Sequence, residues 1–400
     1  ECKQKNKNDG LRQLQDYLQF SKAYMGVWFN GEERAFIRKI IKNGKIYFED
    51  IPNIPNYGER LEDIGKFKRR DLQKTHNLTS TFKAMRNYLA ANSVGTRRDE
   101  PLAQQIINLI FCKIYDERFT EQDENVTFRA GFDEDSEIVA TRIKKIFSEV
   151  KRKYQDVFDE TDVLDLDPKS ISYVVGELQR YCIIEAERDV IGDAFETFIS
   201  QALKGGQGQF FTPRNVVKMV VEILDPKDDD LILDPACGSG GFLVESLRYI
   251  WKKIDNRASK FKWSKQNILE EKMAVGISKI HGVDADNFLS KVAKAYMAIT
   301  GDGKGGIVCD DSLKNPLEWK QKTKEKIHFE YFDIILTNPP FGKKITVKGE
   351  DTLKQFDLSH KWKVDKDEKW IKQELKDVMP PQILFIERCF SFLKENGKMG

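Results

Sequence analysis

The sequence of 400 residues has few cysteines, no long apolar run and no excess of either charge. Its six cysteines lie far apart without a Cys-x-x-Cys pair, which argues against a zinc site or a disulfide framework and favours a reducing, cytoplasmic environment. No apolar run approaches the ~18 residues that a membrane-spanning helix needs. The 66 basic and 64 acidic residues give a net charge of +2. This average neither requires nor excludes a nucleic-acid partner.

The composition is that of a folded chain, since 40% of the residues are hydrophobic and 32% are charged. A length of 400 residues allows two or three domains. The sequence begins with Glu1 rather than Met and stops where a further strand is expected. We therefore expect it to be a fragment of a longer protein.

The first segment, residues 1–52, is predicted to be a partial α/β segment. A helix is expected at residues 11–20 and a strand at 25–29. Asn-Gly pairs at residues 30–31 and 43–44 predict hairpin turns.

The rest of the chain changes pattern near residue 206. Residues 60–205 show helical apolar spacing throughout, which predicts a helical domain without strands. In residues 206–400, short apolar runs alternate with amphipathic helices, which predicts an α/β domain with a parallel sheet covered on both faces. The expected strands of this sheet are residues 231–233, 280–283, 307–308 and 332–336.

The first motif is Asp-Pro-Ala-Cys-Gly-Ser-Gly-Gly at residues 234–241, which follows an apolar strand and opens a helix. In open α/β sheets, ligands bind beyond the carboxyl ends of the strands, and glycines let the backbone approach a ligand closely. The motif lacks the Lys-Ser/Thr pair of a P-loop. We expect ligand contacts from five of its residues: Asp234, Ala236, Gly238, Ser239 and Gly240.

Acidic residues also follow the next two strands. Asp284 ends the second strand and suits a ribose diol, whose hydroxyl groups need an acceptor. Asp286 is the alternative, although an Asp in such a position commonly caps a helix. Asp311 follows the third strand, where it can accept from the amino group of a cofactor's adenine or simply form a turn.

The sharpest motif is Asn-Pro-Pro-Phe at residues 338–341, directly after an apolar strand. Pro339 and Pro340 fix the backbone and remove two N–H donors, so the loop presents two acceptors, the Asn338 side-chain oxygen and the Pro339 carbonyl. Such a pair suits a planar exocyclic NH2 group, because it localises the nitrogen lone pair and raises its nucleophilicity. Phe341 supplies an aromatic face for a base taken out of a duplex.

A further motif, Gly-Gln-Phe-Phe-Thr-Pro at residues 208–213, precedes the glycine-rich one. Phe210, Phe211 and Thr212 can cover a cofactor, with Pro213 starting the following helix. The alternative is a plain helix N-terminus, capped by Thr212 and with both aromatic rings in the core.

Together these motifs resemble the amino-methyltransferase family of DNA modification enzymes, and most of all the modification subunit of type I restriction systems. The resemblance covers about residues 60–400, including the helical stretch at 108–118. It implies a Rossmann-like domain that binds S-adenosyl-L-methionine and methylates adenine N6 in double-stranded DNA, without a metal. It also implies a specificity subunit and, as a further partner, a restriction subunit, because no part of the sequence looks like a target-recognition domain. Such a domain beyond residue 400 would instead make a self-contained enzyme.

The N-terminus shows a second resemblance. Glu1 and Lys3, followed by Gln13 and Tyr17 one helical turn apart, resemble the end of a nuclease core of the acidic-x-Lys type, in which the acid binds Mg²⁺. The upstream acid of such a core is missing from the sequence. A nuclease-like remnant is therefore one interpretation, and an active nuclease a less favoured one.

Two of three basic segments have a simple explanation. Residues 66–70 and 151–153 are expected to be solvated faces. Residues 342–376 are polar and poorly periodic, so we expect them to be mobile and to lie near DNA phosphates. There, Lys343, Lys344 and Lys348 would each add salt-dependent affinity.

Other functions stay open on the sequence alone. Cytosine-N4 methylases usually have Ser in place of Asn338, whereas methylases of protein glutamine or ribosomal RNA share the Asn-Pro-Pro-aromatic loop. Cytosine-C5 enzymes need a Pro-Cys nucleophile, and Cys237 lies in the glycine-rich loop instead. A non-catalytic DNA-binding subunit of a restriction or phage-defence complex is a further alternative, which the intact motifs disfavour.

Overall fold

The chain divides into two units, Glu1–Gly205 and Gly206–Gly400. The computed structural model describes residues 7–29, 34–51, 54–55, 60–74, 78–92, 99–155, 157–185, 212–301, 306–342 and 345–400.

The first unit begins with a helix and a three-stranded antiparallel sheet of order β1-β2-β3 and continues mainly with helices. Its described elements are α1 (Lys7–Phe20), β1 (Met25–Phe29), β2 (Arg34–Lys42), β3 (Lys45–Asp50), β4 (Gln73–Lys74), α2 (Thr79–Asn92), α3 (Asp99–Phe119), α4 (Ser136–Lys153), α5 (Pro168–Leu178) and β5 (Tyr181–Cys182).

The hairpin between β2 and β3 turns at Asn43 and Gly44, whose φ angles are 53° and 72°. Positive φ at both central residues is what a two-residue turn needs in order to match the twist of the strands. The predicted strand at residues 25–29 and this turn are confirmed. The predicted turn at residues 30–31 lies outside the described residues.

The core of the first unit is built around α3, which is buried on nearly all sides between residues 102 and 114. It contains an ion pair whose side chains are fully buried, with Lys113 Nζ 3.3 Å from Glu117 Oε1. Glu117 also accepts hydrogen bonds from the backbone amides of Ile183 and Ile184, both at 2.9 Å. Because each buried charge has a partner, the pair ties α3 to the chain that follows β5.

Two expectations for this unit are wrong. β4 and β5 pair in parallel within the segment predicted to have no strands. Arg69, in the basic run predicted to be solvated, is only 3% exposed and donates to the Glu117 carbonyl oxygen at 2.8 Å. Its long apolar stem and its acceptor explain the burial, because a guanidinium can enter a core when its donors are satisfied.

The second unit alternates strands and helices. Its described elements are α6 (Arg214–Leu224), β6 (Ile232–Asp234), α7 (Gly241–Phe261), α8 (Lys265–Ser278), β7 (Ile280–Asp284), α9 (Asn287–Gly301), β8 (Gly306–Cys309), α10 (Gln321–Lys326), β9 (Phe332–Ile335), β10 (Val347–Lys348), α11 (Glu350–Leu353), β11 (His360–Val364), β12 (Trp370–Leu375), β13 (Val378–Met379), α12 (Pro381–Phe392) and β14 (Leu393–Met399).

A five-stranded sheet of order β14-β9-β6-β7-β8 forms the centre of this unit, and all of its neighbouring strands are parallel. Its strands are short and apolar, and Leu233, Phe332 and Ile335 lie fully buried in one cluster. The predicted α/β fold with a Rossmann-like parallel sheet is confirmed. From β6 the chain proceeds to β7 and β8 on one side, whereas β9 and β14 lie on the other. The strand order therefore reverses between β6 and β9, and such a reversal opens a ligand crevice at the carboxyl ends of the strands.

Residues 345–379 contain four short strands and the helix α11, which the poorly periodic sequence did not predict, whereas the expected mobility of the segment stays a prediction. β11 and β12 pair as an antiparallel ribbon, and β10 pairs with β13. Leu353, Phe356 and Met379 are buried in a small cluster, against which Leu375 at the end of β12 packs. Lys343 and Lys344 lie outside the described residues.

Candidate functional site

The two sharpest motifs follow neighbouring strands. The Leu336 amide donates to the Leu233 carbonyl at 3.1 Å, which extends the pairing of β9 with β6 to the last residues before both loops. The glycine-rich loop at residues 234–241 and the Asn-Pro-Pro-Phe loop at 338–341 therefore leave the sheet side by side, at the point where the strand order reverses.

The glycine-rich loop has a backbone that requires glycine at two positions. Gly238 and Gly240 have φ angles of 53° and 86°, and α7 begins directly after them. A Cβ on Gly240 would approach Ala293 Cβ at 3.2 Å, whereas a Cβ on Gly238 would meet no described atom within 4 Å. Gly240 thus serves close packing of the loop on α9, and Gly238 leaves space in front of the loop that a side chain would fill.

Asp234 points inward from the start of this loop. Its side chain is 1% exposed and accepts from the Ala236 amide at 3.1 Å. Burial raises the pKa of Asp234 to about 7, although the neighbouring Thr337 hydroxyl and the Ala236 amide favour its charged form. The carboxyl group therefore holds the turn of its own loop.

Asp284 connects the end of β7 to the glycine-rich loop. One of its carboxylate oxygens accepts from the Gly238 amide at 2.8 Å and the other from the Asp286 amide at 2.9 Å. Burial raises the pKa of Asp284 above its ordinary value. Since each oxygen has a second lone pair, the carboxylate keeps the capacity to accept from two hydroxyl groups.

Asp286, the alternative acceptor at this strand end, is a helix cap. Its Oδ1 accepts from the Leu289 amide at 3.0 Å, in the first turn of α9. This is the usual role of an Asp that precedes a helix.

The loop after β8 is attached to the glycine-rich loop by Ser312, which is not among the predicted site residues. Ser312 is buried, and its hydroxyl donates to the Pro235 carbonyl at 2.7 Å. Beside it, Asp311 accepts from the Leu313 amide at 2.9 Å and is half-buried. The only sequence signal for Ser312 is its position directly after Asp311, because a serine hydroxyl in a loop has many possible partners.

Asn338 makes a side-chain contact to Thr212, 126 residues earlier. Its Nδ2 donates to the Thr212 hydroxyl at 3.0 Å. Asn338 and Pro339 are half-buried, whereas Pro340 and Phe341 are exposed, Phe341 by 42%. The amide nitrogen is thus assigned to Thr212, and the amide oxygen is the acceptor end of the side chain.

The segment before α6 is described only in part. Phe210 and Phe211 lie outside the described residues. Pro213 precedes the first residue of α6 and Thr212 makes no cap there: its hydroxyl accepts from Asn338. The interpretation of Thr212 as a helix cap is therefore wrong.

Two further predictions concern Cys237 and the residues near the N-terminus. Cys237 is buried, and burial raises the pKa of its thiol well above the ordinary value, which is the opposite of what a nucleophilic cysteine needs. In the first unit, Gln13 Nε2 donates to the Tyr17 hydroxyl at 2.7 Å. Glu1 and Lys3 lie outside the described residues, so the nuclease resemblance stays a prediction.

The described residues contain neither a candidate metal cluster nor a candidate membrane-spanning helix. Within the described ranges, His, Cys, Asp and Glu side chains form no group of three that could hold a metal ion. Likewise, none of the helices in these ranges has the length and apolar character needed to cross a membrane.

Similar proteins were found by sequence and by structure. The MjaVII type I restriction enzyme methylase subunit of Methanocaldococcus jannaschii is 30% identical over 173 residues, which are 43% of this chain and 25% of that protein. The StySPI methylase subunit of Salmonella potsdam is 26% identical over 60% of this chain and 46% of its own length. The chain thus spans less than half the length of these curated relatives.

A crystal structure of a modification subunit of a putative type I restriction enzyme from Vibrio vulnificus YJ016 is 16% identical. The match covers 82% of this chain and 72% of that one, with a TM-score of 0.49. The model of one protein family, described as N-6 DNA Methylase, matches residues 186–400. Because this match includes more than half of the sequence and both motif loops, the chain belongs to the N-6 DNA Methylase family.

Proposed function

We propose that the chain carries the catalytic core of a site-specific DNA methyltransferase that transfers a methyl group from S-adenosyl-L-methionine to adenine N6. The observation that carries this proposal is the hydrogen bond from Asn338 Nδ2 to Thr212, which leaves the Asn338 oxygen as an acceptor beside the glycine-rich loop. Membership of the N-6 DNA Methylase family supports it.

The Asn-Pro-Pro-Phe loop activates the amine. The adenine NH2 donates one hydrogen to Asn338 Oδ1 and the other to the Pro339 carbonyl, which draws the hydrogens out of the base plane and localises the lone pair on nitrogen. Pro339 and Pro340 stiffen the loop because their rings fix φ, so the acceptors are held in place before the base arrives.

Phe341 receives the base. At 42% exposure its ring can offer a face to an extruded adenine. Extrusion is required because the amine of a stacked and paired base cannot reach a methyl donor.

The glycine-rich loop fits the cofactor. Space in front of Gly238 allows close approach of a ligand, Asp284 has acceptor capacity for two ribose hydroxyls, and Asp311 suits the adenine amino group. Asp234, Ala236, Ser239 and Gly240 shape the loop, and the cofactor contacts expected from the segment before α6 stay a prediction. When bound, S-adenosyl-L-methionine supplies the methyl group, and no metal takes part.

The partners follow from the same proposal. The substrate is double-stranded DNA in the cytoplasm, and a specificity subunit selects the sequence, with a restriction subunit as a further partner. The relatives named as type I restriction enzyme methylase subunits support this assembly.

The test is long-read modification mapping of the host genome with the full-length gene intact, deleted, and restored as wild type or as Asn338→Ala. We expect a bipartite motif to lose N6-methyladenine on deletion and to regain it only with the wild-type gene. Purified Asn338→Ala protein should bind S-adenosyl-L-methionine as tightly as wild type.

Three outcomes would contradict the proposal. Loss of N4-methylcytosine instead would assign the chain to cytosine. No change in any base would favour a protein or RNA substrate or a non-catalytic DNA-binding subunit. Full restoration by Asn338→Ala would reject the mechanism.

A further inference from the structure

We infer that Thr212 is a positioning residue that sets the orientation of the Asn338 amide for catalysis. The sequence predicts Thr212 to be a cofactor contact, whereas in the structure its hydroxyl accepts from an amide in the loop after β9. This inference rests on the proposed function, because orientation matters only if Asn338 receives an amine.

The two ends of an amide side chain are chemically opposite. Rotation of the Asn338 amide by 180° would exchange its oxygen and its NH2 group, so that two N–H donors would face the incoming amine, which also donates. One orientation therefore activates the amine and the other repels it. The terminal torsion of Asn has a broad, roughly two-fold profile, so the choice must come from its neighbours.

In the structure the Thr212 hydroxyl accepts from the amide nitrogen and so holds the amide in the productive orientation. Nδ2 donates to Oγ1 at 3.0 Å, so the amine, the amide and the hydroxyl can form a chain in which each donor points the same way along the chain. Because Asn338 is half-buried, loss of this acceptor would leave an amide N–H without its partner and would free the side chain to rotate.

Thr212 is itself held by regular structure. It lies two residues before α6, whose Val217, Val221 and Leu224 are buried. At the far end of α6, Lys398 Nζ donates to the Leu224 carbonyl at 3.0 Å, which links the helix to β14 at the edge of the sheet. The hydroxyl is therefore presented from a packed helix start.

The experiment compares Thr212→Val, which keeps the shape without the hydroxyl, with Thr212→Ser, which keeps the hydroxyl. Both are made in the full-length protein purified with its partners. DNA methylation is measured under steady-state conditions, and the Kd for S-adenosyl-L-methionine is measured by calorimetry. If the Val variant does not fold, Thr212→Ala replaces it, because Ala also lacks the hydroxyl and is smaller than Thr.

We expect Thr212→Val to lower kcat roughly tenfold, less than the 10²–10³ typical of removing a direct transition-state contact. KM for DNA and Kd for the cofactor should change less than twofold, and Thr212→Ser should recover most of the rate. A wild-type kcat in the Val and Ala variants would overturn the inference. So would a loss seen only in cofactor affinity, or a Ser variant as slow as the Val variant. An inactive wild-type complex would instead reject the proposed function itself.

Discussion

The Gly238 amide donates to the Asp284 carboxylate at 2.8 Å, which fixes the glycine-rich loop to the end of β7. The same carboxylate accepts from the Asp286 amide, so a single side chain organises both loops at this edge of the sheet. Its remaining lone pairs are the acceptors that we assign to the cofactor ribose.

Asp284→Asn should therefore weaken cofactor binding. An amide has only one oxygen and cannot accept from Gly238, Asp286 and a ribose hydroxyl group in the same geometry. We expect Kd for S-adenosyl-L-methionine to rise about tenfold or more, since hydrogen bonds to charged groups contribute ~1.5–3 kcal/mol. Calorimetric titration measures this.

Asp286→Ala is the matched control for that variant. It removes the cap of α9 and should lower the free energy of unfolding by ~1 kcal/mol while leaving cofactor affinity unchanged. Equal losses of affinity in the two variants would reject the assignment of Asp284.

Asp234 gives the second unit a pH-dependent stability. Burial raises its pKa from 3.8 to about 7, so the folded state binds this proton more tightly than the unfolded chain. The stabilising contribution is therefore complete below about pH 4 and is lost as the pH rises to about 7. A difference of one in pKa corresponds to ~1.4 kcal/mol, so the loss is about 4 kcal/mol.

Asp234→Asn tests this, because the amide keeps the shape and cannot titrate. The free energy of unfolding of wild type, measured relative to the variant by urea titration, should fall between pH 4 and pH 7 and then level off. Asp228→Asn is a control of opposite sign, since its hydrogen bond with Arg257 lowers the pKa of Asp228. The free energy of unfolding of wild type, measured relative to Asp228→Asn, should rise as the pH rises through about 4. A constant difference between wild type and Asp234→Asn would refute the assignment.

The parallel sheet could be predicted from the sequence because its strands are short apolar runs separated by amphipathic helices. The Asn338 loop could also be located, since two prolines after an apolar strand leave few alternatives. The contact between Thr212 and Asn338 could not be predicted, because these residues are 126 positions apart and a threonine hydroxyl has many possible partners.

The ribbon of β11 and β12 was missed for a different reason. Most of its residues are exposed, so its strands lack the alternation of apolar and polar residues on which strand prediction depends. Its register is set instead by Asp365, whose carboxylate accepts from the Asp367 and Lys369 amides at 2.8 Å and closes the turn.

We expect the buried pair of Lys113 and Glu117 to be important for the stability of the first unit. Glu117→Ala would leave the Lys113 ammonium buried without its carboxylate and two backbone amides without their acceptor. We expect a loss of about 3–5 kcal/mol in the free energy of unfolding, measured by urea titration. Glu149→Ala breaks the exposed pair with Arg152 and should cost at most ~1 kcal/mol. Similar losses in both variants would contradict the role of the buried pair.

The lysines after the Asn-Pro-Pro-Phe loop are predicted to contact DNA phosphates. Lys348 is exposed in β10, whereas Lys343 and Lys344 lie outside the described residues. Each phosphate contact adds about 0.9 to the slope of log K against log salt concentration, so replacing all three lysines with Gln should flatten that slope by about 2 to 3. Fluorescence anisotropy at several salt concentrations, with duplex DNA and the full-length complex, measures it.

The control for this experiment is the basic end of α4. Lys151, Arg152 and Lys153 form a cluster of the same charge, but Lys151 already donates to the carbonyls of Glu160 and Asp162, and Arg152 pairs with Glu149. Replacing these three with Gln removes the same net charge without removing a predicted phosphate contact. If both triple variants flatten the slope equally, the effect comes from net charge alone, and the predicted contacts of Lys343, Lys344 and Lys348 are rejected. An unchanged slope in the first variant rejects them as well.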